Sequence, residues 1–68
     1  MATVTLSASG FGSETRKFRT EKEAVDFIRN DTESIAAQQG GMVEDYGNGE
    51  WVVNSRSGEE IARWLLEK

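Results

Sequence analysis

Cysteine and histidine are both missing from these 68 residues, and each absence removes a class of protein. Without cysteine there is no disulfide framework to staple a small fold. Without either residue the usual ligands of a structural or catalytic zinc are gone as well. Long apolar runs are missing too: stretches such as 51–53 and 64–66 are a few residues long, against the ~18 that a membrane-spanning helix needs. Residues 1–10 have neither the charged start nor the apolar stretch of a signal peptide, so the chain reads as intracellular, a cytoplasmic protein in a reducing compartment. Positive charge is in short supply. Twelve acidic residues against 8 basic ones set the net charge at −4, which opposes nonspecific attraction to nucleic acid or an anionic membrane and favours a basic partner. A surplus of this size is also ordinary for the solubility of a small domain.

Catalysis is poorly provided for. Acid–base or nucleophilic work would fall to carboxylates, lysine, tyrosine or hydroxyls, and no set of these recurs at a spacing that specifies a reaction. The expectation is therefore a non-enzyme with no cofactor and no metal. Glu44, Asp45 and Glu50 crowd one short stretch, yet an EF-hand loop counted from Asp45 would require glycine where Glu50 stands.

What is present describes a small α+β domain. A chain this short buries only about 60% of its unfolded surface, so residues 1–68 are expected to share one core. Residues 3–8 alternate, with Val4, Leu6 and Ala8 on one face and Thr3, Thr5 and Ser7 on the other, as a half-buried strand does. Residues 9–14 supply a glycine- and serine-rich loop, and 15–20 read as a second, antiparallel strand. Thr20 followed by Glu23 is a capping box, in which the hydroxyl accepts from the Glu23 amide. A helix over 21–39 follows, with Ala24, Phe27, Ile28 and Ile35 near helical spacing and a glycine pair at its end. Asn30, Asp31 and Ser34 weaken its middle, where a kink or break is an open alternative.

Residues 41–55 read as a hairpin. Asn48-Gly49 is the preferred pair for a type I′ turn, which would set Tyr46 opposite Trp51 with Met42 and Val53 on the same face and Glu44 as the misfit. A three-residue loop would instead group Val43, Trp51 and Val53, leave Tyr46 beside Glu44 outside, and make Asp45 the misfit. Direct aromatic pairing favours the first register. Ser57 with Glu60 is a second capping box, opening a short helix with Ile61, Trp64 and Leu65 at i, i+3 and i+4. The expected order is ββαββα, with a four-stranded, mainly antiparallel sheet and the helices packed on one face. Residues 20–28 and 57–65 share one pattern of cap, acid, apolar and aromatic residues, which is open to two readings, duplication or convergence.

Two surfaces compete as binding sites. Arg16, Lys17, Arg19 and Lys22 are four of the eight basic residues and surround Phe18, the arrangement of a strand that stacks and pairs with single-stranded nucleic acid, or of an edge strand protected by charge. The carboxylates form the opposite candidate. Glu44, Asp45 and Glu50 crowd the hairpin, Asp31 and Glu33 lie on the weak middle of the long helix, and Glu59 and Glu60 start the last helix. Converged, these acids would imitate a phosphate backbone, with Tyr46 as an interface anchor, while Trp51 and Trp64 belong to the core.

Small size, acidity and this element order, carried by the capped segment 20–28, the hairpin 44–51 and the capped segment 57–65, resemble the small phage-encoded inhibitors, among them the anti-CRISPR proteins. The resemblance implies an inhibitor without catalysis that blocks the nucleic-acid-binding groove of a bacterial defence or host complex such as a CRISPR effector. The charge and aromatic pattern of the residues themselves assigns the contact to Glu44, Asp45, Tyr46 and Glu50, in a chain expected to be a monomer or weak dimer. The residues leave two alternatives beside it: a structural adaptor binding through an apolar face, and a nucleic-acid binder using residues 16–19.

Overall fold

The computed structural model describes residues 1–8, 10 and 12–68. Its elements are β1 (Ala2–Ala8), β2 (Gly12–Phe18), α1 (Glu21–Gln39), β3 (Met42–Asp45), β4 (Glu50–Asn54) and β5 (Glu60–Glu67). The order is thus ββαβββ and corrects the ββαββα read from the sequence, although the class remains α+β. The sheet has five strands, not four, in the order β2-β1-β5-β4-β3, with every neighbouring pair antiparallel. A single helix covers one face where two were expected.

β1 alternates as its sequence demands. Val4 is buried with Ala2, while Leu6 and Ala8 pack against the same core and Thr3, Thr5 and Ser7 point the other way. β2 begins at Gly12, so Ser13 and Glu14, assigned to the loop by composition, are already paired with Ser7 and Leu6. Ser9 and Phe11, also in that loop, lie outside the described residues. The helix starts where expected: the Thr20 hydroxyl accepts from the Glu23 amide at 3.1 Å. At its other end Gly40 adopts φ 65°, the left-handed conformation that closes a helix most cheaply in glycine, and the Gly41 amide returns to the Ala36 carbonyl at 2.9 Å. Arg56 reaches across to the Gly40 carbonyl at 3.3 Å.

α1 runs unbroken through Asn30 and Asp31 for 19 residues, roughly 28 Å at 1.5 Å per residue. The residues that weaken it locally are occupied elsewhere. Thr32, buried against the sheet, returns its hydroxyl to the Arg29 carbonyl at 3.0 Å, and Asp31 accepts the indole N–H of Trp64 at 3.1 Å. Ala24 and Ile28 lie one turn apart above Trp51, Val53, Ala62 and Trp64, and these residues form the buried core with Ala2 and Val4.

The largest departure from the sequence reading is the last segment. Residues 60–67 form the central strand, between β1 and β4, and not a short helix. Ile61, Trp64 and Leu65 do fall at helical spacing, but Ala62, Trp64 and Leu66 fall at a spacing of two. These three face the helix, with Trp64 opposite Leu6 on one side and Trp51 on the other. A strand in this place satisfies its backbone on both edges, whereas a helix of eight residues is marginal in isolation. The Ser57 capping box is therefore not formed. The Ser57 and Ser55 hydroxyls share a hydrogen bond at 2.8 Å, the Glu59 amide donates to Ser55 Oγ at 3.2 Å, and the Ser55 amide donates to the Glu59 carbonyl at 2.7 Å. These bonds make residues 55–59 a tight β4–β5 connection.

The hairpin register is corrected as well. Val43 lies opposite Val53 and Asp45 opposite Trp51, so Tyr46 does not pair with Trp51. Positive φ falls on Gly47 (77°) and Gly49 (84°), not on Asn48, and the Tyr46 amide donates to the Glu50 carbonyl at 3.0 Å across a three-residue loop. A type I′ turn needs positive φ at both central residues, which Asn48 does not supply.

The two caps separate under mutation. Thr20→Ala is expected to destabilise the fold by about 1 kcal/mol, because a helix-start amide loses its partner. Ser57→Ala, with no helix to cap, is expected to stay within about 0.5 kcal/mol of the parent. Asp31→Ala leaves the buried Trp64 N–H without an acceptor and is expected to cost about 1–3 kcal/mol. Urea melts of the three variants measure all of these effects.

Candidate functional site

The two-layer arrangement leaves one sheet face without a covering helix, and strand register determines what stands there. β3 contributes Met42 and Glu44, β4 contributes Glu50 and Val52, and β5 contributes Arg63 and Leu65. Glu44, Val52, Arg63 and Ser7 form one row across the sheet, and Glu50, Leu65 and Thr5 form the next. Tyr46 lies on the same side, since its hydroxyl donates to Glu44 at 2.8 Å. Three of the four hairpin residues singled out in the sequence are therefore brought together: Glu44, Tyr46 and Glu50.

Asp45 is not among them. It sits opposite Trp51 on the helix side, and its carboxylate accepts the Gly47 amide at 2.8 Å, a bond that shapes the turn. There it lines a cleft of about 450 Å³ with Glu21, Val25, Trp51 and Leu66, across which Lys68 pairs with Glu21 at 3.3 Å. Asp31, bonded to Trp64, is likewise withdrawn from the acidic surface.

Arg63 is the residue that sequence reasoning missed. Its Nη1 lies 2.9 Å from Glu50 and its Nη2 2.7 Å from Glu60. Both terminal nitrogens are thus engaged, while Nε is shielded from solvent with no partner among the described residues. The signal that could have found Arg63 is the spacing of two in Ala62, Trp64 and Leu66, which turns the odd positions of 63–67 away from the helix. Solvent screens both pairs and keeps their contribution to stability small; their chief effect is to hold Glu50 and Glu60 in place. Glu50 and Glu60 thus share one guanidinium, which leaves a negative surplus, and Glu44, two strands away, has no cation paired with it among the described residues.

The electrostatics follow from these contacts. Tyr46 is raised above the ordinary 10.0, first because its proton is held by Glu44, then by partial desolvation and the negative charges of Glu44 and Glu50, with Arg63 opposing. Arg63 is raised as well, chiefly by its hydrogen bond to Glu60 and the charges of Glu60 and Glu50. Among the described residues no group of three or more carboxylates is placed to hold a metal ion. Among the described residues no helix is long and apolar enough to cross a membrane.

The basic strand is arranged differently. Arg16 pairs with Glu14 at 3.2 Å and lies over the Phe27 ring at 5.2 Å, and Lys22 pairs with Asp26 at 3.5 Å. Phe18 packs against Phe27, ring centroids 5.2 Å apart, so the aromatic residue that would stack a base is turned into the core. Because β2 and β3 occupy opposite edges of the sheet, the cations of residues 16 and 17 and the hairpin carboxylates stand on opposite sides of it.

No protein-family model, curated protein or solved structure matches the chain. Its function is argued from this geometry.

The only tyrosine in the chain provides a direct test of the cluster. Its phenol is expected to titrate above 10.0, and Glu44→Ala is expected to lower the midpoint. Since the folded value is the raised one, this group's stabilising contribution is present below the unfolded pKa and is lost as pH rises through the folded one. Ultraviolet difference absorbance of the phenolate in the two proteins measures the shift.

Proposed function

We propose that the chain is a small acidic protein-binding module that acts without catalysis and docks through the hairpin end of its open sheet face. Its partner, on this reading, presents a basic nucleic-acid-binding groove, as a bacterial defence or host complex does, and the module acts as a phage-type inhibitor of the anti-CRISPR kind. The observation that carries the reading is the segregation of charge to opposite sides of the sheet, with exposed Tyr46 set beside Glu44 and Glu50 on the acidic side. An acidic patch with an amphipathic aromatic at its centre suits a cationic groove: the carboxylates steer and orient, and the ring supplies buried area.

The adaptor reading is supported by a separate observation. Met42, Tyr46 and Leu65 are all exposed on this same face, so apolar contact and charge would act together in docking. The two contributions part in salt, because screening weakens a charge-led complex and leaves an apolar one. The nucleic-acid-binding reading loses its stacking residue in Phe18 and faces a net charge of −4. No binding of DNA or RNA at physiological ionic strength is expected in fluorescence anisotropy.

Glu44 and Tyr46 are the residues to change, because neither supports a strand. Glu50 holds Arg63 and Asp45 shapes the turn, so reversing either would disturb the fold. Glu44→Lys with Tyr46→Ala is expected to leave the melting midpoint near that of the parent and to weaken the partner complex at least ~100-fold, about 2.7 kcal/mol. Affinity capture from a bacterial lysate with parent and variant as baits, then calorimetry at low and high salt with the captured protein, provides the measurement. The expected partner is one that nucleic acid displaces from the bait. A partner held equally by the variant, and indifferent to both salt and nucleic acid, would overturn the reading.

A further inference from the structure

The sheet has two open edges, and they differ in what they can accept. β3 spans four residues and carries Glu44 and Asp45 with no cation. β2 spans seven, Gly12–Phe18, with Glu14 and Arg16 on the helix side and Ser13, Thr15 and Lys17 on the other. Both charged side chains of the helix-side pair are largely exposed, Arg16 at 56% and Glu14 at 61%. Edges that avoid self-association commonly carry charge that repels a copy. In β2 the two charges are opposite and flank a central threonine.

We propose that two copies of this chain associate through β2, edge to edge and antiparallel, about a twofold axis through Thr15. In that register Thr15 meets Thr15 of the second copy, Glu14 meets Arg16, and Ser13 meets Lys17. Glu14 and Arg16 already lie 3.2 Å apart within the strand, so the two copies close a ring of four alternating charges around the axis. The register is selected by the same charges. Moving the axis by one residue either way would centre it on Glu14 or Arg16 and set like charges face to face. No bulky side chain stands at the axis, and a threonine pair is a favourable cross-strand contact. The outcome is one continuous antiparallel sheet with both helices on the same face, which satisfies the backbone groups that β2 otherwise leaves to water. The acidic hairpins would lie at the two far ends, so this surface is independent of the one assigned to the partner.

Sedimentation of the full chain over a wide concentration range tests the proposal. The parent is expected to show a reversible monomer–dimer equilibrium. Glu14→Arg and Arg16→Glu, each of which places like charges opposite one another twice, are each expected to weaken the dimer at least ~10-fold. The double variant exchanges the two charges and is expected to restore it. An equimolar mixture of the two single variants is expected to form heterodimers, since one then carries two cations and the other two carboxylates at the axis. Amide exchange is expected to slow in β2 as concentration rises, which reports the edge without any substitution. A parent that stays monomeric at millimolar concentration, a dimer untouched by the single reversals, or protection that grows in β3 and not in β2 would each overturn the proposal.

Discussion

Trp64 is the residue under which the rest of the molecule is assembled. It occupies the middle strand, is wholly buried, stands between Leu6 and Trp51 in register, and donates its indole N–H to Asp31 of the helix above. Burying a side chain of that size contributes roughly 4–6 kcal/mol as an upper bound, since the unfolded chain already covers part of it. In a chain with neither disulfide nor metal ligand such a contribution is not easily replaced. The hydrogen bond to Asp31 makes the burial permissible, because an indole N–H left without a partner there would offset much of the gain. It also fixes the angular setting of α1 over the sheet, and with it the Ala24, Ile28 and Thr32 stripe that fills the space beside the tryptophans.

From that constraint the composition of the open face follows by parity. If Trp64 points toward the helix, Arg63 and Leu65 must point away, and strand pairing carries the same parity to Glu50 and Val52 on β4 and to Glu44 on β3. The carboxylates at this end of the sheet are gathered by the decision to bury one tryptophan. Arg63 then organises them. Glu50 and Glu60 come from opposite ends of the β4–β5 pairing, and only the guanidinium between them draws the two together. With it they are held in place, and Glu44 and Tyr46 remain exposed. The opposite edge obeys the same parity with different residues, setting Glu14 and Arg16 side by side.

The two capped segments show where local pattern stops being decisive. Residues 20–28 and 57–65 carry the same arrangement of hydroxyl, acid, apolar and aromatic positions, yet the first is helix and the second is turn and strand. Duplication therefore finds no support in the fold. The difference lies in neighbours: residues 20–28 continue into apolar positions spaced for many turns, whereas 60–67 is short and flanked by two strands that both lack a partner on that side.

By itself the sequence determined the alternation of residues 3–8, the Thr20 cap, the extent of the long helix and its glycine end. In each case the governing interactions lie within a few residues of one another. It also determined that Trp51 and Trp64 are core, since a chain of 68 residues has few other large apolar side chains to bury, and it drew attention to Glu44, Tyr46 and Glu50. Tertiary structure alone decided that 60–67 is a strand, because a segment satisfying periods of both two and 3.6 is settled by the backbone partners on either side. It decided the hairpin register, where placing Trp51 and Val53 against the helix outweighed the Asn-Gly preference and the pairing of two aromatics. It also decided that Arg63 stands among the acids and Asp45 does not, since a one-residue shift in strand parity exchanges the two faces of a sheet and no local signal records which face the helix will cover.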